Sequence, residues 1–336
     1  MGNCCARSSL IQDANTQFVF QGNMTETSDG KGSKLYSTPP GKISNTIYTN
    51  FIRIIKEQAE IISETDFLNI ISSEFPNLNR IPYPEQHIPT PIKNIFEAPP
   101  IKFSSGEIYK GQWNATNNKR NGFGISISAD HNTLFKGEWN SDKIGDFGLF
   151  LEKNGNYYLG EFKEGKFEGK GELEIVGISR YKGDFKNDLP DGKGNFEDFE
   201  NEYEYKGDWE AGKKNGRGIL EFSDKTRYEG EFKNDLYDGI GIIKFKNGDK
   251  YEGEFVGGNI KGKGKFIWND GKRYDGDYED FMKNGFGKFY WNDNKYYEGQ
   301  WLNNKQHGKG IFEDFENLYI NIMVIGKWVI KMVKVF

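Results

Sequence analysis

Gly2, Cys4 and Cys5 are the residues whose type and placement point to covalent chemistry. In Met1-Gly2-Asn3-Cys4-Cys5-Ala6-Arg7-Ser8-Ser9, removal of Met1 exposes the Gly2 amine, the group that accepts a myristoyl chain in amide linkage. Ala6 departs from the acylation pattern, which has Ser or Thr there; Ser8 and Ser9 come too late to replace it. One such chain binds a membrane weakly and reversibly, so stable anchoring needs a second signal. Arg7 is the single basic residue among the first 30, which closes the polybasic route and leaves thioester acylation of Cys4 and Cys5. The alternative is an unmodified tail whose cysteines are incidental.

Other chemistry has little to build on. His87, His131 and His307 lie far apart, and no nucleophile or metal-ligand motif frames them. Carboxylate pairs such as Glu229 and Glu231 recur with a repeat and read as a solvated face. Glycine pairs spaced by one residue invite a phosphate-loop reading but lack the lysine and helix such loops need. We therefore expect no enzyme, no catalytic or metal residue and no cofactor. Cys4 and Cys5 are the only cysteines, adjacent and terminal, which argues against a secreted disulfide scaffold. The 45 basic and 50 acidic residues give a charge of −5 with no basic stripe, so nucleic acid is not an expected partner. No stretch of about 18 uninterrupted apolar residues occurs, nor does the apolar core of a signal peptide, and a cytosolic chain is expected.

The elements behind this N-terminus change character along the chain. Residues 1–46 are polar, end in Pro39-Pro40-Gly41 and read as a disordered anchor tail, a leash. Residues 47–75 carry Phe51, Ile54, Ile55, Ile61, Ile62, Phe67, Leu68, Ile70, Ile71 and Phe75 at helical spacing, which predicts two short amphipathic helices. Ser63-Glu64-Thr65-Asp66 supplies a capping break between them, and Pro76 is a stop. Its charges, Arg53 and Lys56 against Glu57, Glu60, Glu64 and Asp66, match anionic lipid poorly, so the pair is expected to pack on its own protein. Seven of the ten prolines fall between Pro76 and Pro100, making residues 76–105 an extended linker.

From residue 106 to 317 the chain is periodic. Tyr158, Tyr181, Tyr205, Tyr228, Tyr251, Tyr274 and Tyr297 follow one another in steps of 23, once 24, residues. Counting each as position 0, glycine follows at +2, an aromatic ring at +4, and glycines at +11 and +13. Two weaker copies precede them: Phe135, Gly137, Trp139 and Gly148 with Asp146 replacing a glycine, and Tyr109, Gly111, Trp113 with Gly122 and Gly124 delayed by two residues. Terminal repeats commonly depart from consensus because one face has no neighbour.

A spacing of two puts the Tyr, the Gly and the second ring on one face of a strand, so each repeat predicts an antiparallel hairpin. Glycine beside each ring leaves room for aromatics to lie flat on the backbone. Asn247-Gly248 and Asp270-Gly271 are turn signals linking one repeat to the next. The fold class expected is an all-β repeat array: an elongated antiparallel meander of about nine hairpins, behind a short helical segment and a disordered tail. At ~4.8 Å per strand it would extend roughly 90 Å.

This pattern, over residues 109 to 310, resembles the MORN (membrane occupation and recognition nexus) repeat family, and MGNCC resembles the N-termini of dually acylated proteins. The family resemblance implies an interaction platform, since such arrays occur in junctional membrane proteins, ciliary radial spokes and cytoskeletal scaffolds. The leading expectation is a scaffold or adaptor tethered to the cytoplasmic face of a membrane through Gly2, Cys4 and Cys5, with partners drawn from a membrane or cytoskeletal assembly, or a second copy of the chain. The alternatives are a structural component of a ciliary or cytoskeletal assembly and a phosphoinositide-binding module; the slightly acidic charge disfavours the latter. Trp209, Trp268, Trp291 and Trp301 are the candidate interaction surface, against the competing reading that they are core.

Residues 318–336 break the pattern. Phe312-Glu313-Asp314-Phe315-Glu316-Asn317 repeats the lead-in Phe196-Glu197-Asp198-Phe199-Glu200-Asn201 of an intact copy, yet an apolar tail follows. Read in the neighbouring frame with permitted codons, the tail becomes YKYNGDWKVGDKNGKGV, with Tyr, Gly, Trp, Gly and Gly at 0, +2, +4, +11 and +13. Met323-Val324, Trp328-Val329 and Met332-Val333 each force a glycine, because ATG and TGG are single codons. The expectation is a frame-shifted tenth repeat; the alternative is a natural apolar strand.

Overall fold

The computed structural model describes residues 59–84, 94–315, 319–325 and 329–334. Gly2, Cys4 and Cys5, the tail 1–46 and most of the first expected helix lie outside these. The chain divides into two units, the first running to Gly192 and the second beginning at Lys193, with Asp198–Glu200 belonging to the first.

In the first unit, β1 (Ala59–Ile61) precedes α1 (Glu64–Glu74). Ser63 caps α1: its Oγ accepts from the Asp66 amide at 3.0 Å, satisfying a donor the first turn leaves open. Pro76 follows the last turn. Residues 59–61, read from the sequence as helix, are instead a strand pairing Ala59–Ile61 with β3 (Ile101–Phe103). The proline-rich stretch also contributes strands: β2 (Ile95–Glu97) and β3 pair with β4 (Ile108–Asn114) through Phe96 opposite Trp113 and Ile101 opposite Tyr109. They cover the outer edge of the first hairpin, which would otherwise present unpaired amides and carbonyls.

From β4 onward both units repeat one hairpin design, which the Tyr158 copy shows. Tyr157–Lys163 pairs with Lys166–Ile175, placing Tyr158 opposite Leu173, Gly160 opposite Gly171 and Phe162 opposite Phe167. A β-carbon on Gly171 would stand 2.5 Å from the Tyr158 ring, and one on Gly160 would stand 2.5 Å from the Gly171 Cα. The lead tyrosine therefore lies flat over the paired glycines, and no larger residue fits at either position.

The register slips between +2 and +4 in this hairpin and in its counterparts, a β-bulge. A bulge removes the +3 carbonyl from the ladder. The tyrosine hydroxyl takes it: Tyr158 donates to Glu161 O at 2.8 Å, Tyr205 to Asp208 O at 2.9 Å and Tyr228 to Glu231 O at 2.8 Å. The +3 side chain then accepts from the +12 amide, as Asp208 does from Arg217 at 2.9 Å, Asp277 from Phe286 at 2.8 Å and Gln300 from Lys309 at 2.8 Å. These acidic or amide residues are thus structural acceptors, where the sequence reading saw a solvated face.

The core is a ladder of rings. Lead tyrosines meet the +4 ring of their own hairpin and that of the next edge-on: Tyr228 lies 5.1 Å from Phe232 and 5.3 Å from Phe255, and Tyr274 lies 5.2 Å from Tyr278 and 5.3 Å from Trp301. At +9 a further ring stacks on the tyrosine at 3.7 Å in two copies, Phe167 on Tyr158 and Tyr237 on Tyr228. Lysine takes that place in two others. Lys283 Nζ lies 5.1 to 5.5 Å from the rings of Trp268, Tyr274, Phe289 and Trp301, a cation in an aromatic setting.

The tightest turns fall inside the repeats, at +6 and +7, where both residues have positive φ, as in Asn234 (48°) and Asp235 (70°). Asp235 also ties one hairpin to the one before it: its Oδ1 accepts from Lys214 N at 2.9 Å and its amide donates to Lys214 O at 3.0 Å. Asn247-Gly248 and Asp270-Gly271 do link successive repeats, with positive φ at the glycine alone (90° and 85°).

Candidate interaction surface

Alternation along each strand sends 0, +2, +4 and +11, +13 to the ring-filled inner side, and +1, +3, +12 and +14 to the outer side. Register then joins +1 and +14 residues of successive strands into rows running across the sheet. The first unit has the row Lys110, Ile125, Lys136, Leu149. The second unit has Lys206, Ile219, Glu229, Ile242 at the same repeat positions.

The first row is covered by the chain's own N-terminal segment. Phe67, Phe75 and Leu78 pack into a cluster with Ile108, Ile127, Leu134, Leu149 and Leu151, joined by Ile70, Ile71 and Ile125. Glu64, in the acidic first turn of α1, forms a 2.6 Å ion pair with Lys110, and Glu74 at the other end pairs with Lys153. Tyr83, between Pro82 and Pro84, sits edge-on to Phe123 (5.5 Å) and Phe147 (5.8 Å) with Lys136 Nζ 5.3 Å from its ring. The helical segment thus packs on the array's first hairpins.

Among the described residues nothing covers the second row. It forms a trough of about 600 Å³ across the strands carrying Lys193, Lys206, Ile219, Glu229 and Ile242. Its apolar lining is Ile219, Ile240 and Ile242, of which Ile240 is 57% exposed. Lys193, Lys206 and Arg217 enter from the first three strands, and Glu229 and Glu231 from the fourth. Lys193 pairs with Asp208. Partial burial would raise the Asp208 carboxyl, but the Lys193 ammonium and the Arg217 amide outweigh it and hold it below the ordinary range. Neither Lys206 nor Arg217 has a carboxylate within ion-pair distance among the described residues.

The candidate tryptophans separate. Trp209 (4% exposed) and Trp301 (6%) belong to the core, their indoles donating to Gly194 O at 3.3 Å and Gly287 O at 3.0 Å. That removes both from the expected interaction surface, because +4 is an inner position. Trp268 and Trp291, at +17, are half-buried, in contact with Phe266, Phe289 and Phe312. The trough residues carry no recurrent motif; their signal is isoleucine at +12 or +14, where the Tyr158 and Tyr251 copies have Lys170, Glu172, Lys263 and Lys265. His131 and His307 lie in separate hairpins, and His87 is outside the described residues. Among the described residues no helix is long and apolar enough to cross a membrane.

Two solved structures illustrate the likenesses found. The TCP10 domain of Danio rerio CPAP, in complex with a peptide of Danio rerio STIL, is 14% identical, with 72% of this chain and 99% of that chain covered and a TM-score of 0.36. The SAS-4 TCP domain of Drosophila melanogaster, in complex with a proline-rich motif of Ana2, is 14% identical over 66% of this chain and 99% of that one, with a TM-score of 0.26. These scores lie below those of a shared fold. No curated protein matches. The MORN repeat matches at residues 109–133, 158–175, 181–198, 205–227, 228–250, 251–273, 274–296 and 297–314, more than half of the chain. The Phe135 hairpin, between the first two matches, has the same register with Gly137 opposite Gly148. With its ring ladder, its paired glycines and these matches, the chain belongs to the MORN repeat family.

Proposed function

We propose that this chain is a scaffold, anchored to the cytoplasmic face of a membrane through acyl groups on Gly2, Cys4 and Cys5, whose repeat array holds protein partners on its outer side. The observation that carries the binding half is the trough lined by Ile219, Ile240 and Ile242: the array satisfies its own core on the inner side and has an apolar row on the other that nothing covers among the described residues. Shallow apolar strips between charged rims suit protein partners better than polar headgroups. The anchoring half is supported by the order of residues alone: an amine acceptor at Gly2, two thiols within three residues of it, and no basic cluster to serve as the second signal.

Membrane fractionation of the tagged full chain beside Gly2→Ala and Cys4→Ala/Cys5→Ala variants tests the anchor. Wild type is expected with membranes and both variants in the soluble fraction. Equal behaviour of all three would remove the acyl anchor and leave the array to determine where the protein goes.

A further inference from the structure

The two outer rows match position by position. Lys110, Ile125, Lys136 and Leu149 in the first unit correspond to Lys206, Ile219, Glu229 and Ile242 in the second. The first row shows what such a surface accepts: an amphipathic helix whose acidic first turn meets the lysine and whose apolar side chains cover the aliphatic positions. The second row has the lysine and both aliphatic residues, with nothing over them among the described residues, and one changed charge, Glu229 in place of Lys136.

We propose that the second row binds an amphipathic helix of a partner protein that carries an acidic residue in its first turn and a basic residue about two turns later. The acidic residue meets Lys206, with Arg217 beside it. The basic one meets Glu229, which lies two strands further on, about 10 Å at ~4.8 Å per strand. That distance is about two turns at ~5.4 Å each. Apolar side chains between them cover Ile219, Ile240 and Ile242. Size agrees: the trough crosses five strands, so about 19 Å from first to last, and the 11 residues of α1 span about 16 Å. Charge complementarity fixes the helix direction, because reversal would set carboxylate against Glu229 and ammonium against Lys206.

This inference rests on the scaffold reading and names its partner class. The probe is a fluorescein-labelled synthetic peptide of residues 62–84, the segment that covers the first row, carrying Ile71→Lys so that a basic residue stands about two turns after Glu64, titrated into the full chain and followed by anisotropy. Saturable binding is expected, weakened about tenfold or more by Ile240→Asp or Lys206→Glu. A peptide bearing Glu64→Lys should bind wild type poorly and recover on the Lys206→Glu chain, a charge exchange that a non-specific apolar contact would not reproduce. Ile240 and Lys206 project from the outer side, so circular dichroism of both variants should match wild type. Absent binding, or binding unchanged by both substitutions, overturns the proposal. So does loss of binding with Phe147→Asp alone, which would place the peptide on the first row, and so does self-association of the wild-type chain abolished by Ile240→Asp, which would make a second copy the occupant. The titration uses no membrane, so its failure leaves the fractionation result standing.

Discussion

Tyr228 fills the space that a β-carbon on Gly241 would need: its ring carbon Cε2 and its hydroxyl both lie 2.5 Å from that point. The same hydroxyl donates to Glu231 O at 2.8 Å, the carbonyl that the adjacent bulge takes out of the ladder. One residue pair therefore couples ring packing to main-chain hydrogen bonding, and the coupling recurs through the array.

Gly241→Ala must displace Tyr228 and break that bond, so a loss of about 2–4 kcal/mol is expected from overpacking together with an unsatisfied carbonyl. Gly271→Ala is the control. Its φ is 85° but nothing lies within 4 Å of the added carbon, so only the backbone cost of about 1 kcal/mol applies. Urea midpoints of the two variants should separate clearly, and equal midpoints would refute the packing account.

Asp235 holds both the amide and the carbonyl of Lys214 in the preceding hairpin. In a stacked repeat protein such contacts set the interface energy between neighbours. Asp235→Asn keeps the acceptor and the tolerance for positive φ, whereas Asp235→Ala loses both, at a cost of about 1–3 kcal/mol. Hydrogen exchange should show faster opening around Lys214 in the alanine variant and little change in the asparagine one.

Acid and alkali act on different parts of the array. Desolvation raises Asp277, but Lys263 and the Phe286 amide lower it further, and Asp208 is held below its ordinary value in the same way. A carboxylate depressed in the fold contributes stability present above its unfolded pKa, near 3.9, and lost as pH falls through the folded value. Burial pushes the phenols of Tyr205, Tyr228, Tyr251 and Tyr274 far above their ordinary range. Their contribution is complete below about pH 10 and is lost as pH rises toward the folded values. In an alkaline titration these phenols should stay silent where free tyrosine ionises, then appear together with loss of the β-sheet signal. Smooth ionisation near pH 10 without unfolding would contradict their burial.

Much of this was legible in the sequence because the repeat exposes it. The phase of Gly and aromatic residues gave the hairpin, its inner side and the reason for glycine, and Ser63 with Asp66 marked the start of α1. The +3 acceptor was not legible, since Asp, Glu and Gln at an alternating polar position look like ordinary solvent-facing residues until the bulge brings the +12 amide to them. Strands β1, β2 and β3 were missed because three residues hold too little alternation to distinguish a strand from a connector. The trough was missed for a related reason: Lys206, Ile219, Glu229 and Ile242 are neighbours only across strands, along a direction that a periodicity along the chain does not sample.

The last strands make the frame of the C-terminal tail testable. At the preceding junction Gly287 faces Gly299, Gly285 faces Trp301 and Phe289 faces Tyr297. At the next one Gly310 faces Met323, Gly308 faces Ile325 and Phe312 faces Asn321. The neighbouring frame reads glycine across the Met323-Val324 codons, tryptophan across Ile325-Gly326 and tyrosine across Asn321-Ile322. Backbone register and codon reading thus put the glycine, the ring and the tyrosine of a tenth repeat at the positions where the array requires them. Sequencing the transcript through the codons for residues 312–336 is expected to show a one-base difference ahead of Tyr319 and a tail reading YKYNGDWKVGDKNGKGV. A transcript in the uninterrupted frame would leave Met323 opposite Gly310 and end the idea. If the frame is restored, a chain carrying the corrected tail should unfold at higher urea than the chain with the apolar tail, because its ninth hairpin gains a neighbour whose tyrosine, glycine and tryptophan continue the ladder.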